Sequence, residues 1–222
     1  MSLTVKADPC LNISEIFHSI QGESSFAGYP CVFIRLTGCN LRCTYCDARY
    51  TYEEMGEKLP IATLLMATER HPQAIIEITG GEPLLQENVY PLMEELLERG
   101  RTVLLETNGS ISLAVVPREV VKIMDLKCPD SGMADRMNFA NLELLAPNDE
   151  VKFVVSSRRD YDWSKKIFFD YSLAGRAKIS FSPASTRLAP KDLAEWILAD
   201  DLPVRLQLQI HTILWPGKNR GV

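Results

Sequence analysis

GCNLRCTYCD, residues 38–47, sets Cys39, Cys43 and Cys46 in one short loop and follows the last of them with Asp47. Four chemistries compete for such a loop. Three purely structural thiols crowded in polar surroundings would oxidise readily. A zinc site wants four ligands, often as two separated pairs, so a fourth would have to come from Asp47 or from one of only three histidines. A redox pair at Cys43 and Cys46 leaves Cys39 without a role. A 4Fe-4S cluster held by three thiolates leaves one iron open, and an open position is what a catalytic centre needs. Spacing alone does not separate iron from zinc, but the odd number of thiols favours an open site.

The loop follows an apolar, β-branched run, CVFIRL at 31–36, which reads as a buried strand with Cys31 as a structural thiol. Irregular stretches at 21–30 and 37–59 flank it. Beyond them the pattern alternates. Residues 60–71 carry Ile61, Leu64 and Leu65 at helical spacing behind Pro60, and 74–79 (AIIEIT) reads as a strand ending in Gly80-Gly81. Residues 84–99 are amphipathic, with Met93, Leu96 and Leu97 on one face and Gly100 as the stop. Further strands are expected at 101–106, 120–126, 150–155, 178–181 and 204–210, with helices at 160–172 and 191–200. Residues 113–117 fit neither period.

Strands alternating with helices imply parallel βαβ units in an α/β fold. Six or seven strands are too few for a closed eight-stranded barrel. The expectation is an incomplete (β/α) barrel of about six parallel strands, with an open doubly wound sheet as the alternative. The unusual residues recur just after strands: GCNLRC, TGGEP, ETNGS and DLKCP. Loops at the carboxyl ends of parallel strands share one edge, so these turns should face one another.

At 222 residues the chain is long enough to bury a core without covalent staples, and its six cysteines do not read as a disulfide framework. A single domain over 1–222 is expected, with a short N-terminal extension over about 1–30. No apolar run approaches the roughly 18 residues of a membrane span, and MSLTVKADPC lacks a signal-peptide layout. A net charge of −5 argues against a general nucleic-acid binder. These features point to a cytoplasmic protein with neither nucleic-acid nor membrane partners. Cys10 receives no role.

The C-x3-C-x2-C loop, with Tyr45 before its last cysteine, resembles the signature of the radical S-adenosylmethionine (radical SAM) superfamily, and Thr79-Gly80-Gly81-Glu82-Pro83 resembles its GGE turn. A glycine pair after a strand is by itself only a tight turn; one βα unit after the cysteine loop it carries weight. Phe17–Glu23 (FHSIQGE), Gly28-Tyr29-Pro30, the FIRLTGCN run from Phe33, Glu106–Ser110 (ETNGS), Lys127, Lys152, Phe181-Ser182-Pro183 and Leu208–His211 (LQIH) are similar to the 7-carboxy-7-deazaguanine synthase family.

The resemblance implies a radical SAM type barrel, usually a homodimer, acting in queuosine and deazapurine biosynthesis. The implied reaction turns 6-carboxy-5,6,7,8-tetrahydropterin into 7-carboxy-7-deazaguanine with loss of ammonia. It implies three cofactors: a 4Fe-4S cluster on Cys39, Cys43 and Cys46, S-adenosyl-L-methionine, and magnesium. Reduction of the cluster, by a donor such as flavodoxin, cleaves the cofactor to a 5′-deoxyadenosyl radical that takes hydrogen from substrate. Gly80, Gly81 and Glu82, chiefly through backbone, with Asn108, Lys127 and Ser182, are the implied cofactor contacts. The implied substrate contacts are Gln21, Glu23, Arg35, Thr79 and His211, with Ile20 and Gly22 in the same segment.

The residue chemistry suits that substrate. Arg35 can fork onto a carboxylate, Glu23 can accept from ring N–H groups, and Gln21 can do both. Without the resemblance, Gln21 and Glu23 read as solvated loop residues, and His211 as a satisfied structural histidine. Arg35 in an apolar strand needs a partner or the mouth of a site. The chain departs from the family at Ala48, where a hydroxyl residue commonly follows the Cys-Asp pair and serves magnesium. Thr51 is the nearby hydroxyl on offer. Two other readings stand beside this one: a glycyl-radical-enzyme activase, with a broad groove for a protein partner, and a zinc-stabilised binding module. No nucleophile elbow or H-E-x-x-H pattern supports a hydrolase.

Overall fold

The expected strand at 31–36 forms β2, Pro30–Leu36, and it lies near one end of a nine-stranded sheet. This computed structural model describes residues 8–222. Residues 1–7, which belong to the stretch read for a signal peptide and to the N-terminal extension, lie outside the described residues. The strands are β1 (Cys10–Ile20), β2, β3 (Glu57–Pro60), β4 (Ile75–Gly80), β5 (Val103–Thr107), β6 (Val121–Asp125), β7 (Glu150–Val155), β8 (Lys178–Pro183) and β9 (Arg205–Leu206). Their order is β3-β1-β2-β4-β5-β6-β7-β8-β9. From β2 onward along that order every neighbouring pair is parallel, while β1 runs antiparallel to β2 and β3. The fold is thus the incomplete α/β barrel that the alternation of elements implies.

The helices are α1 (Tyr50–Glu53), α2 (Ile61–Glu69), α3 (Val89–Glu98), α4 (Arg158–Asp170), α5 (Pro190–Ala199) and α6 (Ile210–Leu214). Each longer one buries the stripe its spacing dictates: Ile61, Leu64 and Leu65 on α2, and Val89, Leu92, Met93 and Leu96 on α3. Ser157 caps α4 by accepting from the Asp160 N–H at 3.2 Å.

Strand alternation sorts the sheet into two unlike faces. Ile76 and Ile78 of β4, Val103 and Leu105 of β5, Val151, Phe153 and Val155 of β7, and Ile179 and Phe181 of β8 join the continuous apolar core. The alternate positions, including Glu77, Thr79, Glu106, Asp125, Lys152 and Ser182, bring polar groups to the other face. A sheet polar on its inner face is suited to a chamber rather than a packed barrel interior.

The sheet curls, because the loop after β1 reaches its far side. Ser25 donates to Glu150 Oε1 through its backbone N–H (2.8 Å) and its hydroxyl (2.6 Å), and Arg205 Nη2 lies 3.1 Å from Glu150 Oε2. Glu150, Lys178 and Arg205 begin β7, β8 and β9, so this loop closes the amino-terminal end of the chamber.

Four expectations need correction. Strand β1 was not anticipated, because a register shift between Ile13 and Glu15 breaks its alternation; β3 falls in the stretch read as irregular. The strand at 204–210 shrinks to Arg205–Leu206, after which the Ile210 N–H donates to Gly22 O (3.0 Å) and the chain turns into α6. The helix at 84–99 begins as a separate turn, Pro83–Leu85, because the Glu82 carboxylate captures the Leu84 N–H at 3.0 Å; α3 proper starts at Val89. Residues 113–117 form no regular element, and loops with short 3-10 turns cover the wall between β5 and β7.

Candidate active site

The loop after β2 carries Cys39, Cys43 and Cys46, all partly exposed and none in a disulfide. The turn after β4 packs directly behind it. A Cβ on Gly81 would lie 2.1 Å from Gly38 O and 2.7 Å from Cys39 Cβ, and one on Gly80, at φ 140°, would lie 2.2 Å from Leu36 O. Glycine is therefore the residue that lets these two loops touch. Cys39 Sγ accepts from the Leu41 N–H (3.4 Å) and faces Asn108 Nδ2 at 3.9 Å, contacts suited to a thiolate. Burial pushes the Cys43 thiol up to about 11 against the pull of Lys127, and Cys46 is raised by the same cause. Loading metal must therefore displace protons from these thiols.

Among the described residues no group of three or more His, Cys, Asp or Glu side chains converges to hold a single metal ion. Three thiols spread along one loop fit a polynuclear centre, in which each thiolate serves a different iron.

Glu82 is wholly buried and points inward, not at the chamber. Its carboxylate accepts from the Thr107 hydroxyl (2.9 Å), Asn108 N–H (2.7 Å) and Leu84 N–H (3.0 Å), so it ties the GGEP turn to the ETNGS turn. Burial lifts its pKa to about 7, with those donors opposing the rise. The side chain is a clamp, which leaves the turn's backbone to meet a ligand. Asn108 continues the clamp, donating to Asn40 Oδ1 at 3.0 Å and accepting from Ser110. Lys127 Nζ lies 2.9 Å from Asp125 Oδ2; burial works against its charge, but Asp125 and Cys43 outweigh it and hold its pKa up. Asp125 Oδ1 is buried without a hydrogen-bond partner, an open acceptor beside two lysines. Ser182 lies buried on β8.

Below this edge lies a second polar cluster. Lys152 Nζ is 2.7 Å from Glu23 Oε2, 2.5 Å from Glu106 Oε1 and 3.4 Å from Asp125 Oδ2. Burial disfavours the lysine's charge, but these carboxylates raise its pKa well above the ordinary value. Glu106 is likewise opposed by burial, yet Lys152 and the Thr79 hydroxyl (2.9 Å) hold it down at about 2. Gln209 Nε2 donates to the other Glu23 oxygen at 2.7 Å. Gln21 donates to Glu77 from its Nε2 and accepts the Glu23 N–H at its Oε1 (3.0 Å). His211 packs on Gly22, where a Cβ would lie 2.2 Å from His211 Nδ1. Ile20 ends β1 beside this loop.

Arg35 is held by its Nε, 2.8 Å from Glu15 Oε1, with its guanidinium 5.6 Å over the Phe17 ring. Its two terminal nitrogens make no hydrogen bond among the described residues, so the fork is open to a carboxylate. Thr51 is buried and donates its hydroxyl to Ala48 O at 2.7 Å, which turns the side chain back into its own turn.

The structure thus draws Gln21, Glu23, Thr79, Lys127 and Lys152 into a connected polar region below the cysteine loop, with Arg35 on the neighbouring strand. Sequence reasoning passed over Glu77, Asp125 and Glu15, and quoted Glu106 without a role. The available signal was a charged residue within an apolar strand, alternating with core positions.

A family model, the Radical SAM superfamily, matches residues 33–182. A 7-carboxy-7-deazaguanine synthase of Koribacter versatilis is 44% identical over 227 residues, covering 96% of this chain and 100% of that protein. One of Chlorobaculum tepidum is 45% identical over 216 residues, covering 96% and 97%. The crystal structure of QueE from Escherichia coli matches with a TM-score of 0.75 at 24% identity, covering 90% of this chain and 94% of that one, and supports the fold.

Proposed function

The chain belongs to the radical SAM superfamily and, within it, to the 7-carboxy-7-deazaguanine synthases, and from that premise we propose how its residues divide the work. It is a lyase that converts 6-carboxy-5,6,7,8-tetrahydropterin to 7-carboxy-7-deazaguanine with loss of ammonia, in queuosine biosynthesis. Its cofactors are a 4Fe-4S cluster, S-adenosyl-L-methionine and magnesium. The observation that carries the reading is the three-cysteine loop seated on the GGEP turn, above a chamber lined by paired charges.

Cys39, Cys43 and Cys46 hold the cluster, and Gly80, Gly81 and Glu82 meet the cofactor through backbone groups, with Asn108, Lys127 and Ser182 beside them. When bound, cluster and cofactor together supply a carbon radical that removes hydrogen from the substrate. The protein's own part is to bind and orient. Arg35 takes the pterin carboxylate on its open fork, while Gln21 and Glu23 read the amino-pyrimidine edge, with Thr79 and His211 beside it. Lys152 pairs with Glu23 and keeps Glu106 charged as an acceptor. Thr51 does not fit magnesium as a ready ligand, because its side chain is buried within its own turn, where a cation keeping several waters has no room.

The substrate is a small molecule. The proposal extends to a homodimer, to a flavodoxin-type electron donor reaching the partly exposed cysteines, and to a cytoplasmic setting. No helix among the described residues is long and apolar enough to cross a membrane. Metal and acid-labile sulfide analysis after anaerobic reconstitution tests the centre. Iron and sulfide in equal amounts support it, and stoichiometric zinc without sulfide contradicts it.

A further inference from the structure

We propose that Glu77 is a positioning residue for pterin binding, a proton-bearing carboxylic acid that fixes the Gln21 amide at the chamber wall. The inference deepens the function proposed above and rests on Gln21 being a substrate contact.

Glu77 is 4% exposed and takes the Gln21 Nε2 donor on Oε2. Its partners in register are Phe33 on β2 and Leu104 on β5, both buried, so its flanks on the sheet are apolar. Among the described residues it has no cation within ion-pair distance. The nearest candidate, Lys152, is already shared by Glu23, Glu106 and Asp125. The charged groups acting on it are Glu106 from β5, Glu23 from the loop after β1, Lys152 from β7 and Arg35 from β2. Burial is the largest influence and the two carboxylates come next; together they overcome Lys152 and Arg35 and raise its pKa well above the ordinary carboxylate range. A second anion here would repel Glu23 and Glu106, the groups that Lys152 holds in place.

The consequence falls on Gln21. Its Oε1 is fixed by the Glu23 N–H and its Nε2 by Glu77, so the amide cannot flip. One N–H and one lone pair remain for a ligand, in a fixed left-to-right order. Such an amide distinguishes a ring edge with complementary donor and acceptor from its reverse.

The test compares reconstituted wild type, Glu77→Gln and Glu77→Met over a pH series, reading KM and kcat with carboxytetrahydropterin and difference infrared spectra of the carboxyl region. Iron content and circular dichroism control for folding. Glu77→Met should raise KM about tenfold or more, as expected when a buried polar partner is lost, with a smaller change in kcat. Glu77→Gln, which mimics the neutral acid, should restore KM to within about threefold and abolish the rise in KM that wild type shows at alkaline pH. Wild type at neutral pH should show a protonated carboxyl band that Glu77→Gln lacks. A wild-type KM in Glu77→Met, a Gln variant as impaired as Met, or no protonated band overturns the inference. Wild type that turns over no pterin overturns the functional reading instead, and the infrared band still decides the proton.

Discussion

Lys152 Nζ lies 2.7 Å from Glu23 Oε2, and this ion pair joins the loop after β1 to the inner face of β7 across the chamber. The same ammonium meets Glu106 at 2.5 Å, so one cation organises acceptors from two walls of the barrel. The loop after β1, β5 and the inner face of β7 are therefore tied into one charged network.

Removing that cation should be costly. Lys152→Met leaves Glu23 and Glu106, both half-buried, without their shared cation and is expected to destabilise the fold by about 1–3 kcal/mol. Urea unfolding at neutral pH measures it. A loss below about 1 kcal/mol would show that the carboxylates find other compensation.

Arg35 carries a separable prediction. Its Nε is held by Glu15 while its terminal nitrogens stand open. Arg35→Lys keeps the charge but loses the fork, and should weaken pterin binding by at least about tenfold. Iron and sulfide content should match wild type, because among the described residues this side chain makes no hydrogen bond or ion pair to the cysteine loop. Calorimetric titration with substrate reads the first, and colorimetric assay the second.

Gly22 should tolerate no side chain. The Cβ of Gly22→Ala would fall 2.2 Å from His211 Nδ1, so the imidazole must move. The variant should reproduce the substrate-binding defect of His211→Ala, and the double variant should be no worse than either single one. Additive losses in KM would show that the two residues act independently.

Stability should carry the imprint of Glu77. Its folded pKa is raised, so the native state keeps a proton that the unfolded chain has released above its ordinary value of 4.5. The native state then binds more protons, and by linkage stability falls as pH rises from that value toward the raised one. The contribution is full below the unfolded pKa and lost above the folded one. Thermal melts of wild type and Glu77→Gln across this window should diverge, with the slope smaller in the variant; parallel curves would contradict it.

Much of this was legible because the chain repeats one device: an apolar strand followed by a turn of unusual residues. The cysteine loop, GGEP, ETNGS and DLKCP all stand at one sheet edge for that reason. Other features were hidden by their physics. The register shift at Ile13 and Glu15 breaks the two-residue period that would have revealed β1. Glu82 reads as a ligand group in GGEP, yet three donors turn it into a clamp between loops. Glu77 reads as one polar residue in a strand, and only the curl of the sheet shows that it meets Gln21, 56 residues earlier.

The most direct measurement is anaerobic turnover of the iron-reconstituted protein with S-adenosyl-L-methionine, a reductant and 6-carboxytetrahydropterin, with Cys43→Ala alongside. The expected result is formation of 7-carboxy-7-deazaguanine and 5′-deoxyadenosine by wild type, with neither from the Cys43 variant. Cofactor cleavage without the deazaguanine would contradict the substrate, and product from Cys43→Ala would contradict the cluster.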